Sequence, residues 1–261
     1  ERVDINFLRS RHGGGTEWDL IAQFGEIREG DDLEWKRFKN LTINSDLTIS
    51  ANYKKAVELI DLENFIDYIM LCVYVDMDDW PYNNWRSGRE RRAGAKWRFY
   101  LWDAERSFGT DGKQMLGRQR RVVTSDNLTS GALASGADIA RIFQSFAANP
   151  EFRLSFADRV HRHYFNGGAL MDENIAQRHR ELAEQMRHVL PDMSPYIGEV
   201  WIPRRRAIVM EQMARIDLQR SANAPRFSRH GGTVSAGFKL LLTAPAGEVH
   251  YTTDGTAPRG Q

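Results

Sequence analysis

The chain has 261 residues, room for one good-sized core or two smaller domains. Apolar residues make up 41% and charged residues 27%, the proportions of an ordinary globular protein. Lys and Arg number 36 against 35 Asp and Glu, so the formal charge of +1 excludes a global field that would draw the chain to nucleic acid or to a membrane surface. The single cysteine, Cys72, excludes an internal disulfide. It lies in the apolar run 69–75, where it reads as a small core residue rather than a nucleophile. That run is far shorter than the roughly 20 residues needed to span a bilayer, so no membrane span is expected. The sequence opens on Glu1-Arg2-Val3-Asp4, without an initiator methionine or a signal peptide, and ends inside a strand-and-turn pattern; both ends read as cuts in a longer protein.

In chain order, residues 4–12 read as a short helix with Ile5 and Leu8 on one face, ended by Gly13-Gly14-Gly15. No strand precedes these glycines and no Gly-Lys-Ser/Thr follows, so they read as a turn and not a phosphate loop. Residues 18–24 read as extended. Residues 32–40 and 50–60 read as helices, the second with Ser50 as a possible N-cap. The clearest early helix is 61–75. Leu62, Phe65, Ile66, Ile69 and Val73 recur at helical spacing, Asp61 is placed to cap it, and its apolar surround predicts burial on most sides. The pattern breaks at Asp76-Met77-Asp78-Asp79-Trp80-Pro81. Two strands are then expected, 84–88 and 96–102, joined by a charged hairpin loop containing Gly94. Residues 110–136, rich in Gly, Ser, Thr and Arg, read as a long loop. Four helices follow at 138–148, 150–165, 172–190 and 202–220. After Ala222 the composition turns to strands, at 238–243 and 248–253.

This order (buried helix, acidic loop ending in asparagines, hairpin, then Asp and Phe-Gly) is the order in which phosphoryl transfer from a nucleotide sets out its few protein groups. One carboxylate must orient the attacking hydroxyl, and further carboxylate or amide oxygens must hold the metal ions that neutralise the phosphates. Protein kinases place a metal-binding Asn five residues after the first Asp, and a second metal-binding Asp followed by Phe-Gly after a hairpin. Here Asn84 lies five residues after Asp79, and the hairpin leads to Asp103 and then Phe108-Gly109.

The segments Asp79-Trp80-Pro81-Tyr82-Asn83-Asn84-Trp85 and Lys96-Trp97-Arg98 to Trp102-Asp103-Ala104-Glu105-Arg106-Ser107-Phe108-Gly109 resemble the two signatures of the CotH kinase family, named after bacterial spore-coat protein H. The resemblance extends over about residues 1–220. It implies an α+β fold: the mostly helical C-lobe of an atypical protein kinase, with a β-hairpin at the catalytic site. It implies an enzyme that transfers the γ-phosphoryl group of ATP to serine or threonine hydroxyls of a protein substrate, with Mg2+ or Mn2+. Carried over by residue, Asp79 is the catalytic aspartate, Asn84 and Asp103 bind the metal–nucleotide, and Glu105 assists at the metal. Asn83 is the nearest rival to Asn84. Many members have Asp where Glu105 stands, which bears on the geometry of the metal site. The resemblance also implies an upstream strand lobe carrying a phosphate-binding lysine, which is expected to lie outside this chain, leaving the chain by itself inactive. Two alternatives stand beside the kinase: a catalytically silent surface or adhesion protein that keeps the fold, and nucleotidyl transfer on the same scaffold.

Other features have plainer readings. Asp76, Asp78 and Asp79 also fit a solvated helix end, although three acids oppose the dipole there. Trp80, Trp85, Trp97 and Trp102 read as packing around the site. His161 and His163 diverge by about 200° on a helix and do not read as a zinc pair. Arg204-Arg205-Arg206 reads as a solvated helix face, and the arginines of 118–121 as a possible substrate contact. Residues 247–259, with Tyr251-Thr252-Thr253-Asp254-Gly255, resemble a motif of chitobiase/β-hexosaminidase C-terminal-like domains. The expected division is therefore 1–221, the kinase-like domain, and 222–261, the start of an immunoglobulin-like β-sandwich, in an exported or cell-surface protein.

Overall fold

The computed structural model describes residues 3–109, 122–189, 195–219, 225–230 and 232–254. The chain divides into two compact units, Glu1–Gln219 and Arg220–Gln261.

The described part of the first unit is mixed helix and sheet. Helix α1 (Ile5–His12) is capped by the Asp4 carboxylate, which accepts from Phe7 N–H. Strands β1 (Trp18–Ala22) and β2 (Ile27–Glu29) follow, then helices α2 (Leu33–Asn44), α3 (Ser50–Leu59) and α4 (Leu62–Val75). The hairpin strands are β3 (Trp85–Glu90) and β4 (Arg98–Leu101). Later in the chain come α5 (Asp138–Ala147), α6 (Pro150–Tyr164), α7 (Asp172–Met186) and α8 (Ile202–Arg215), the last entered through a π-helical turn at Ile197–Trp201. Helix ends fall within a few residues of the sequence expectation. The expected Ser50 cap is corrected: Ile49 occupies that position and no side chain caps α3.

The hairpin is part of a larger sheet than the sequence suggests. β3 pairs antiparallel with β4 on one side and with β1 on the other, giving a four-stranded sheet in the order β2-β1-β3-β4. All five β1 residues are buried because both faces of the sheet are covered. On one face Ile21, Trp85 and Phe99 join the main core with Trp35; on the other, Leu20 and Tyr100 pack with Leu8 of α1. Gly88 makes this second layer possible, since a Cβ there would lie 3.2 Å from the Leu8 methyls.

Helix α4 runs through the main core. Nine of its residues, from Phe65 to Val75, are buried, so its ends are fixed by packing on nearly every side. Cys72 is among them, and burial pushes its thiol pKa well up, as expected of an inert core residue. Trp80, Trp85 and Trp97 are buried as expected, while Trp102 is half-buried. His161 stacks on Phe165 and His163 meets Asp67, so the two histidines diverge.

The second unit corrects the strand expectations. Among its described residues the strands are β5 (Arg226–Phe227) and β6 (Leu242–Thr243), paired antiparallel, and residues 248–253 form no strand. A two-stranded pair has no opposing layer to bury apolar side chains, and Leu240, Leu241 and Tyr251 are exposed.

Candidate active site

The site grows from the C-terminal end of α4. Asp76 takes the left-handed conformation at φ 50°, its N–H bonding back to Val73 O, while Met77 N–H bonds to Cys72 O at 3.1 Å. This is the Schellman closure, with aspartate where glycine is usual. The chain then turns through Met77 and Asp78 to Asp79 (φ 59°), passes a cis Trp80–Pro81 bond, and reaches Asn84 (φ 61°). Asn83 N–H donates to Asp79 O at 2.8 Å, closing this loop on itself, and Trp80 Nε1 donates to Tyr68 OH of α4 at 2.7 Å.

β3 begins at Trp85, whose partner in β4 is Leu101. Asn84 and Asp103 therefore flank the same end of the hairpin, one residue before that pair and two after it. Asp103 (φ 54°) turns the chain back toward α4. Asp78 N–H donates to Arg106 O at 2.9 Å, and Phe108 N–H to Val75 O at 2.6 Å. The Arg106 guanidinium pairs with Asp78 at 2.8 Å and with Asp79 at 3.4 Å. The fold thus places Asn84 and Asp103 at one end of the hairpin and ties Asp79, at the end of α4, to Arg106 in the segment after Asp103, where Glu105 also stands.

Backbone conformation singles out the same stretch. Among the described residues, eight non-glycines have left-handed φ, and five of them (Asp76, Asp79, Asn84, Asp103 and Phe108) lie between 76 and 108. Asp and Asn tolerate that region better than most side chains, and such concentrations mark functional loops.

The structure also limits the site. Asp103 and Glu105 are exposed, and no group of three or more His, Cys, Asp or Glu among the described residues is arranged to hold a metal ion. A cleft of about 390 Å³ adjoins the hairpin, lined by Glu26, Ile27, Glu29, Arg86 and Trp102, among others, but by none of the four predicted site residues. In it the Arg86 guanidinium lies 4.8 Å from the centre of the Trp102 ring, the residue next to Asp103. The arginines expected at 118–121 lie outside the described residues.

Three residues that sequence reasoning missed join this region. Arg106 has its signal in the signature itself, three positions after Asp103. Asn127, buried, donates to Met77 O at 3.4 Å. Arg205 overturns the reading of Arg204-Arg205-Arg206 as a solvated face: it is fully buried and donates to Val73 O, Tyr74 O, Val123 O and Ser125 O, while Arg204 alone stays exposed. A guanidinium can satisfy several carbonyls at once, which is what makes burial of this charge tolerable. Arg206 donates to Tyr164 O and lies 3.3 Å from Asp172.

Residues 6–197 match the CotH kinase protein family. The match covers well over half of the 261 residues, and the chain belongs to that family. No curated protein matches the chain. No helix among the described residues is long and apolar enough to cross a membrane.

Proposed function

We propose that this chain carries the catalytic C-lobe of an atypical protein kinase, which transfers the γ-phosphoryl group of ATP to serine or threonine hydroxyls of a protein substrate. What supports the reading is that Asn84 and Asp103 flank one end of the β3–β4 hairpin, each with a left-handed backbone, while Asp79 pairs with Arg106 of the segment that follows Asp103. Family membership supports the kinase-like character; the chemistry of these residues supports the roles.

The donor set fits magnesium or manganese. Asn84 offers an amide oxygen, and Asp103 and Glu105 offer carboxylates, all hard oxygen ligands. A closed cluster of acids is not needed, because magnesium is usually held by one or two carboxylates with waters and phosphate oxygens completing the shell. When bound, the ion supplies charge neutralisation at the phosphates. Asp79 orients the substrate hydroxyl and accepts its proton, and Arg106, paired with the same carboxylate, fixes the direction in which it points.

We also propose that residues 222–261 begin a β-sandwich of the chitobiase C-terminal-like kind and that the protein is exported or displayed at the cell surface. The motif from Tyr251 to Asp254 supports this.

The test uses full-length protein with Mg2+ or Mn2+ and ATP labelled at either the γ- or the α-phosphate. Label from the γ position should reach serine or threonine in a protein acceptor, and chelation of the metal should stop it. Transfer of the α label would convert the reading to nucleotidyl transfer. Neither labelling nor ATP binding would leave a silent scaffold.

A further inference from the structure

The two described segments on either side of residues 110–121 are held by one element. Before them, the Phe108 ring packs edge-on against Trp201, with centroids 6.0 Å apart. After them, Val123 N–H donates to Tyr196 OH at 3.0 Å, Val123 O and Ser125 O each accept from Arg205 Nη1 at 2.7 Å, and Ser125 O accepts from Gln212 at 3.2 Å. All four partners belong to α8, to the π-helical turn that leads into it, or, for Tyr196, to the N-cap of that turn.

The same guanidinium reaches the other way. Arg205 Nη2 donates to Val73 O at 2.6 Å and Nε to Tyr74 O at 2.9 Å. These carbonyls belong to the last turn of α4, which carries the negative end of its dipole; Val73 O accepts from Asp76 N–H as well. The Trp201 ring covers the guanidinium, 4.9 Å from its carbon. One buried cation thus spans the end of α4 that launches Asp79 and the 123–125 backbone. Asn127 adds a direct link from the second segment to Met77.

We propose that Arg205 is a positioning residue for phosphoryl transfer: it locks the α4 end and the 123–127 segment in one register, and so sets how the acceptor hydroxyl approaches Asp79. The proposal rests on the kinase reading above. Arg205 touches no reacting atom; it acts through two backbone segments. Its planar fork is what the geometry uses, because four carbonyls in two directions are beyond the shorter reach of an ammonium. The neighbouring Arg204 has no part in it.

The experiment compares full-length wild type with Arg205→Met, Arg205→Lys, Gln212→Leu and Arg204→Ala by hydrogen–deuterium exchange and by steady-state kinetics per folded molecule. In Arg205→Met, exchange should rise together in peptides covering 73–79 and 122–127. Its kcat should fall about tenfold and its KM for the protein acceptor rise about threefold, while its KM for ATP stays within about twofold of wild type. A mere loss of folded molecules would move neither KM. Arg205→Lys should recover part of kcat, and Arg204→Ala should match wild type. Gln212→Leu, which removes only the link to Ser125, should raise exchange at 122–127 and the acceptor KM without loosening 73–79. If Arg205→Met does not fold, Arg205→Lys and Gln212→Leu decide the matter by the same readouts. Exchange rising in only one segment of the Arg205 variants, or an acceptor KM equal to wild type, would overturn the proposal. If wild type transfers no phosphoryl group, the kinase reading fails, and the paired exchange still reports whether Arg205 holds the two segments together.

Discussion

The two ends of α4 are built on opposite electrostatic plans. At its N-terminus, Asp61 caps Asn64 N–H and pairs with Arg98 at 2.9 Å, placing negative charge at the positive end of the dipole. Asn64 exchanges two hydrogen bonds with the Phe99 backbone, tying that end to β4. At its C-terminus stand Asp76, Asp78 and Asp79, negative charges at the negative end. Two arginines from elsewhere compensate: Arg106 pairs with Asp78 and Asp79, and Arg205 donates to the carbonyls of Val73 and Tyr74. Burial draws the Arg205 guanidinium pKa down, and the charge of Asp76 opposes that shift. One end is arranged for stability; the other keeps like charge against the dipole, the kind of arrangement that the catalytic role proposed for it would require.

This contrast can be broken most directly at the functional end. Asp103→Ala should abolish transfer, a loss of at least about a thousandfold in kcat, because it removes the carboxylate proposed to anchor the metal. The check is γ-phosphate transfer at saturating metal. Full activity in this variant would move the metal site elsewhere. Asp79→Asn should lower kcat by about a hundredfold or more while ATP binding in calorimetry changes little, since it removes a hydroxyl-orienting group and no phosphate contact.

Much of α4 and of the loop that follows it is legible in the sequence. Helix α4, its Asp61 cap and the placement of Asp79, Asn84 and Asp103 around a hairpin follow from local pattern and spacing, which act over a few residues. What is not legible comes from residues distant in sequence. Arg205 lies more than a hundred positions from the helix end it serves, and a triple arginine on an amphipathic helix reads as solvent-facing by composition alone. β1 reads as an isolated extended stretch until Leu20 is seen opposite Gly88. The change of composition after Ala222 likewise reads as a strand at 248–253, where the chain forms none. Arg106 stands inside the signature, but only the backbone turn at Asp103 brings its guanidinium to Asp79.

A smaller effect is expected at the stabilising end. Asp61→Ala removes the cap and the pair with Arg98, and should cost about 1 kcal/mol. For a domain of this size that lowers Tm by about 2–4 °C. kcat per folded molecule should stay at the wild-type value, because the packed body of α4 isolates this end from the Asp79 loop. A kcat that fell in step with Tm would mean that the two ends are coupled through the helix, and the contrast between them would not hold.

The smallest effect lies midway along α4 and appears only as a dependence on pH. Burial tends to raise the Asp67 carboxyl pKa, but hydrogen bonds from His163 and Arg159, together with their charges, outweigh it and hold the pKa below its ordinary value. A carboxylate whose folded pKa is depressed contributes stability that is fully present above its unfolded pKa, near 3.8, and is lost as pH falls through the lower folded value. Asp67 is about a third exposed, at 35% of its side chain, so solvent screens the pair and the contribution stays below about 1 kcal/mol. Asp67→Asn should therefore lower Tm slightly at pH 7, and the difference from wild type should shrink as pH falls below 4. Because this cluster faces α6 and not the hairpin, transfer activity at pH 7 should not change. Thermal melts of both proteins across pH 3–7 are the measurement; a difference that widened in acid would reverse the sign assigned to Asp67 and point to a neutral, buried carboxyl instead.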